Sequence, residues 1–288
     1  MVSMKKFFLA AGFILLIIPV CAQNISDFEI LGNDDGTMTI LNYKGMAKDI
    51  VIPEKIFNLP VTRLRDGAFS RKGLTKVTIP DTVTYIGDKT FSENQLTEIN
   101  IPQAVAYIGN DAFNTNQLTE ITIPPNVLTI GYGAFRNNRL TSAEIPDSVT
   151  YIGNHAFANN EIASVTIGNG AVFIGSNSFC GDHYDSNQIE SIVLGTGVKY
   201  IGPNAFQHHH ASSVVIPDSV VFIGYNAFSP NEQNSLVDIT IGRYVMFGHN
   251  NDDGAFSNNG DFDAIYHDND KKAGNYTFED GRWKFTKN

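Results

Sequence analysis

Cysteine is nearly absent: the 288-residue chain has two. One, Cys21, lies in an N-terminal apolar stretch, so Cys180 is left alone in the body of the chain. An internal disulfide is therefore excluded there, even in an oxidising compartment. Basic charge is also scarce, with 20 Lys and Arg against 30 Asp and Glu and a net charge of −10. Leaving out Lys5 and Lys6 makes it −12, because no acidic residue precedes Gln23. A chain of this sign repels a phosphate backbone, which argues against a nucleic-acid groove or a basic membrane-surface patch. Long apolar runs are missing beyond Val20, and none approaches the ~20 residues that span a bilayer. Stability must come from packing.

The single apolar run, Phe7 to Val20, follows Lys5 and Lys6. Residues 1–22 read as a secretory signal, with cleavage after Val20-Cys21-Ala22 and a mature protein beginning at Gln23. The alternative is a lipid anchor on Cys21. Val20 is bulkier than the small residue usual before a lipidated cysteine, which favours release.

What the chain has in abundance is self-similarity. Phenylalanine recurs at Phe69, Phe91, Phe113, Phe135, Phe157 and Phe179 with a constant step of 22, then at Phe206, Phe228 and Phe256 with steps of 27, 22 and 28. A fixed period of this size marks a solenoid, whose coils bury their apolar sides only by stacking on one another. The repeat overrides the two-domain expectation that length alone would raise.

Within one coil, Leu74, Val77 and Ile79 follow an L-x-x-L-x-L spacing, so Val77 and Ile79 share one face of a short strand that Pro80 ends. Equivalent pairs recur at Ile99 and Ile101, Ile121 and Ile123, Ala143 and Ile145, and onward to Ile239 and Ile241. Stacked, they are expected to form one parallel sheet. The return path runs through Val83-Thr-Tyr-Ile86-Gly87 to an Ala-Phe pair, with corners rich in Asn, Gln and Ser. Phe91, Phe113, Phe135, Phe157, Phe179, Phe206 and Phe228 are the expected core. Residues 23–60 contain two alternating runs around Asn33-Asp-Asp-Gly36, a β-hairpin signal suited to covering the first coil. Residues 61–256 are the solenoid. Residues 257–288 alternate aromatics around Asp280-Gly281 and read as a C-terminal aromatic β-hairpin cap that holds the only Trp, Trp283.

The motif LxxLxLPxxVxxIGxxAFxxN, traceable from about Ile50 to Phe256, resembles the BspA-like, or treponemal, class of leucine-rich repeat. The resemblance implies a leucine-rich-repeat solenoid in which a short parallel β-strand and an irregular return segment alternate every 22 residues, capped at both ends. In this class Ile-Gly and Ala-Phe are expected in place of the buried asparagine ladder of other classes. It also implies secreted or surface-exposed bacterial proteins, often suspected adhesins.

Chemistry is sparse. His208-His-His210 cannot converge on one ion along an extended chain and is expected at a solvated corner. Cys180 is expected to be a buried thiol. Asn250 to Gly254 with Asp261 and Asp263 gathers oxygens without an EF-hand spacing. No catalytic residue, metal or cofactor is assigned. Three features are candidates for partner contact. The aromatic column Tyr85, Tyr107, Tyr151, Phe173, Tyr200 and Phe222, extending to Tyr244 and broken at Thr129, precedes the Ile of each Ile-Gly. The outward strand positions carry Glu98 and Glu120. The insertion after Phe179 carries His183 and Tyr184. A stiffening stack and a solvated sheet face are the structural explanations for the first two. The expected function is non-enzymatic protein binding, adhesin-like, toward a protein or glycoprotein. The alternative is a structural component of the bacterial envelope.

Overall fold

The computed structural model describes residues 24–181, 186–230, 236–249, 254–257, 259 and 261–287. The expected signal segment and the Asp182 to Asp185 insertion, with His183 and Tyr184, lie outside the described residues. In chain order the strands are β1 (Phe28–Gly32), β2 (Met38–Tyr43), β3 (Asp49–Val51), β4 (Lys55–Ile56), β5 (Leu59–Leu64), β6 (Lys76–Thr78), β7 (Tyr85–Ile86), β8 (Tyr107–Ile108), β9 (Thr129–Ile130), β10 (Ser142–Ile145) and β11 (Tyr151–Ile152). They continue as β12 (Ser164–Ile167), β13 (Phe173–Ile174), β14 (Ser191–Val193), β15 (Tyr200–Ile201), β16 (Ser213–Ile216), β17 (Phe222–Ile223), β18 (Asp238–Ile241) and β19 (Met246–Phe247). A helix, α1 (Phe262–Asp268), precedes the closing hairpin β20 (Gly274–Glu279) and β21 (Arg282–Thr286).

The alternation in each coil does what its pattern dictates: Leu74, Val77 and Ile79 are buried, while Lys76 and Thr78 face solvent. The continuous sheet, however, is elsewhere. It runs β1-β2-β5-β7-β8-β9-β11-β13-β15-β17-β19 through the Tyr-Ile pairs of the return path. The expected parallel sheet of L-x-x-L-x-L strands is broken into β3-β6, β10-β12-β14 and β16-β18-β20-β21. Its first break falls at 97–101 and 119–123, which form no strand; the bond from Thr141 N–H to Thr119 O at 3.3 Å marks where pairing resumes in the next coil. There Glu98 and Glu120 hold the same outward position in adjacent coils, and like charges directly opposed destabilise a strand pair. Ile99 and Ile121 are consequently only partly buried, unlike Val77 or Val165.

Stacking dominates the interior. The nine phenylalanines from Phe69 to Phe256 are at most 1% exposed, and successive rings lie 5.1–5.5 Å apart and near-parallel. Tyr43 continues the stack at its head, 5.9 Å from Phe69, and Phe262 closes it edge-on at 4.7 Å from Phe256. The glycine of each Ile-Gly sets the closeness of the coils: a Cβ on Gly109 would meet the Gly87 carbonyl carbon at 2.4 Å, and one on Gly153 would meet that of Gly131 at 2.5 Å.

A buried asparagine ladder accompanies the phenylalanines, contrary to the expectation that this class lacks one. Asn94, Asn116, Asn138 and Asn160, each three residues after a core Phe, and Asn187 after the insertion, are all buried. Asn116 Nδ2 donates to the carbonyls of Phe91 and Phe113 at 3.0 and 3.1 Å, and its Oδ1 accepts from Leu96 N–H at 3.1 Å. The corner needs these bonds because its carbonyls point inward, away from water.

At the ends, backbone pairing at the head and side chains at the tail supply partners to the terminal coils. At the head, β1 and β2 form an antiparallel hairpin that extends the long sheet, and Tyr43 N–H donates to Ala68 O. At the tail, α1 was not anticipated; its Phe262, Ile265 and Tyr266 fall at one helical face and pack on the last coil. Tyr266 Oη accepts from Val245 N–H at 3.1 Å and donates to Gly242 O at 2.7 Å. In other coils that turn closes on itself, as Val83 N–H to Pro80 O does. Trp283 is buried and its Nε1–H donates to Asn259 O.

Candidate interaction surface

The pairing register places Tyr85, Tyr107, Thr129, Tyr151, Phe173, Tyr200 and Phe222 in one column of the long sheet. The next member is Met246, which pairs with Phe222. Tyr244 is not in the column. The last coil is one residue shorter between its strand and Gly248, so Tyr244 falls in a left-handed turn at φ 61°. Two ring pairs are stacked: Tyr85 with Tyr107 at 5.2 Å, and Tyr151 with Phe173 at 5.1 Å. The column is half open to solvent, Tyr151 and Tyr200 being 41% and 44% exposed. Sequence reading missed its companions, the exposed aliphatics Leu128, Val172 and Val221 one position earlier in the chain. Their shared place one residue before the column position, at Thr129, Phe173 and Phe222, was the available signal.

Glu98 and Glu120 are not brought to the tyrosines. They line a shallow groove of about 400 Å³ with Lys76, Thr78, Asn100 and Thr122, at the broken part of the other sheet. Lys76 reaches Glu98 at 3.5 Å, an exposed pair of small energetic weight. Beyond them the outward face carries Ser142, Ser164, Ser191 and Ser213, with Val193 and Val215 exposed.

The histidine run is not a solvated corner. His209 is fully buried three residues after Phe206, where other coils have the ladder asparagine. Its Nδ1 accepts from Ala211 N–H at 3.1 Å and its Nε2 lies 3.2 Å from Phe228 O. Burial pushes its pKa down to about 4, against the smaller upward pull of its bond to the Phe228 carbonyl. Cys180 is buried, with Sγ 3.3 Å from Gly181 O. A cavity of about 710 Å³ at the tail is lined by Phe247, Phe256, Tyr266, His249, His267 and Asp263. Burial raises Asp263 to about 6, although the backbone N–H groups of Ala255 and Phe256 favour its charged form. Its Oδ1 is sealed from solvent and has no hydrogen-bond partner. Among the described residues no three His, Cys, Asp or Glu side chains gather as a metal site requires. The expected oxygen-rich segment 250–253 lies outside the described residues.

Stacked coils, a phenylalanine core and laddered corners define a leucine-rich-repeat solenoid. The chain belongs to the BspA type leucine rich repeat family, whose pattern matches in six copies over residues 62–184 and 182–284. Leucine-rich-repeat proteins of this kind generally bind other proteins. Among solved structures, the chain is similar to a leucine rich cell surface protein from Faecalibacterium prausnitzii, with 27% identity and a TM-score of 0.49. That match covers 76% of this chain and 54% of the other, so this chain spans about half of its length. The Treponema pallidum leucine rich repeat protein matches with 23% identity, covering 61% of this chain and 86% of the other, at a TM-score of 0.47. A leucine-rich repeat protein from Bacteroides ovatus matches with 21% identity, covering 68% of this chain and 59% of the other, at a TM-score of 0.48. Among curated proteins none matches. Among the described residues no helix is long and apolar enough to cross a membrane.

Proposed function

We propose that this protein is an exported, non-enzymatic binding module that recognises a protein or glycoprotein outside the cell, in the manner of an adhesin. The observation that carries the reading is the aromatic column. Between Tyr85 and Met246 it is uncharged, held in register on a stacked sheet and open along its length, beside Leu128, Val172 and Val221. Large repeat surfaces engage partners through many modest contacts, and half-exposed tyrosines are good anchors because little entropy is lost in fixing them. Export rests on the signal read in residues 1–22, and release on the bulk of Val20. The terminal hairpins, in this reading, act as caps for residues 61–256.

The test is binding of the purified protein to immobilised extracellular-matrix and plasma proteins at physiological salt. Saturable binding to at least one is expected. Absence of binding to all of them would overturn the adhesin reading in favour of envelope assembly.

A further inference from the structure

The long sheet ends on an open edge. β19 pairs with β17 on one side and, among the described residues, with no strand on the other. Its Met246 and Gly248 N–H groups donate back to Val221 O and Ile223 O at 3.0 and 2.8 Å. A trans peptide unit points its carbonyl opposite to its N–H. Val245 O and Phe247 O, which share those two units, therefore point off the end of the sheet. A strand residue directs its N–H and C=O toward the same neighbour, so Phe247 N–H points that way too. Among the described residues nothing bonds to these three groups. One coil earlier, the two matching carbonyls are the ones that β19 itself takes up.

The edge borders the tail cavity of about 710 Å³, a size within the roughly 300–1,000 Å³ of ligand sites. Val245, Met246 and Phe247 supply one wall, and α1 supplies Ala264, Tyr266 and His267. Acceptor, donor and acceptor in that order along a sheet edge are the complement of an extended polypeptide backbone. The N–H groups of its first and third residues reach Val245 O and Phe247 O, and its first carbonyl takes Phe247 N–H. Met246-Phe247-Gly248 meets β17 in this same way. Parallel strands in register carry their side chains on the same face, so the middle residue of the occupant follows Phe247. That ring packs against Tyr266 at 5.2 Å and Phe256 at 5.5 Å. The middle residue is therefore apolar. The first residue falls in register with Met246 and continues the aromatic column.

We propose that the β19 edge binds an extended segment of a partner polypeptide, which joins the long sheet as its next parallel strand and buries an apolar middle residue against Phe247 and Tyr266. The proposal rests on the protein-binding reading of the column that ends at Met246, but it is tested apart from it. The full protein is titrated with a blocked Gly-Ile-Gly peptide, with the same peptide N-methylated at both glycines, and with Gly-Asp-Gly, followed by NMR. Saturable binding of the isoleucine peptide is expected, at least tenfold tighter than that of either comparator, with the Phe247 amide signal moving as the site fills. Ala264 is exposed on α1 and lines the cavity. Ala264→Trp should therefore fill the cavity, melt within a few degrees of the wild type and lose at least tenfold in peptide affinity. No saturable binding of the isoleucine peptide, equal binding of the N-methylated one, or association of the protein with itself through this edge in place of the peptide would overturn the proposal. Failure of the peptide with a protein ligand still captured discards the edge site alone; failure of both discards the wider reading as well.

Discussion

Asn138 shows what one side chain contributes to a coil. Its Nδ2 donates to Phe113 O and Phe135 O at 3.0 and 3.1 Å, and its Oδ1 accepts from Leu118 N–H at 3.1 Å. Replacing it by Ala strands the Leu118 N–H and takes one of two donors from each of the Phe113 and Phe135 carbonyls, which keep Asn116 and Asn160 Nδ2; a buried backbone group left unpaired costs about 1–3 kcal/mol. Asn138→Ala should lower the urea-unfolding free energy by about 1–3 kcal/mol; a loss under 1 kcal/mol would remove the ladder from the stability account. His209 does the same work with a titratable ring. Its folded pKa of about 4 lies below the ordinary 6.5. As pH falls from 6.5 to 4, the unfolded chain takes up a proton that the folded chain refuses, so stability is lost across that window. Asp263 acts oppositely. Its pKa of about 6 lies above the ordinary 3.8, so the folded chain holds the extra proton and stability rises as pH falls from 6 to 3.8. The two nearly offset each other. His209→Asn should unmask the second effect, its stability relative to wild type growing by about 3 kcal/mol between pH 6.5 and pH 4. A pH-independent difference in unfolding free energy would contradict this.

At the scale of elements, the end caps mend the open ladder with single groups. Tyr266→Phe keeps the ring in its cluster but removes the hydroxyl between Val245 N–H and Gly242 O. A loss of about 1–3 kcal/mol is expected, read as a lower midpoint in thermal unfolding; an unchanged midpoint would mean that water replaces the hydroxyl at no cost. The phenylalanine column was legible in the sequence because its period is constant and phenylalanine has few other uses inside a coil. The asparagine ladder has the same period over its regular part, three residues after Phe91, Phe113, Phe135 and Phe157. It stayed hidden because asparagine is also the ordinary residue of a corner, and only the fold shows that the amide points inward. The helix α1 was obscured by its shortness, since one apolar face over two turns gives little periodic signal. The break in the strand column was hidden for another reason. Glu98 and Glu120 look unremarkable alone, and their opposition exists only once coils are stacked.

At the scale of the molecule, the coil-to-coil stack turns a sequence period into a surface period. Every position of the repeat becomes a column, so the column that matters for recognition must be one whose residues are open and not needed inside. The aromatic column meets both conditions: Tyr151 and Tyr200 are each more than two-fifths exposed, and the phenylalanine core lies in a separate stack. Its alignment was readable from the Ile-Gly that follows each ring. The ligand was not readable, because a repeated surface carries no converging constellation that names a chemistry. The central claim, that this column is the recognition surface, is tested most directly by Tyr151→Ser combined with Tyr200→Ser. Affinity for a captured protein ligand and the melting temperature are measured together on the same preparation. The account predicts at least a tenfold loss of affinity with the melting temperature within a few degrees of wild type. Undiminished affinity, or a loss that only accompanies unfolding, would contradict it and return the column to a purely stiffening role.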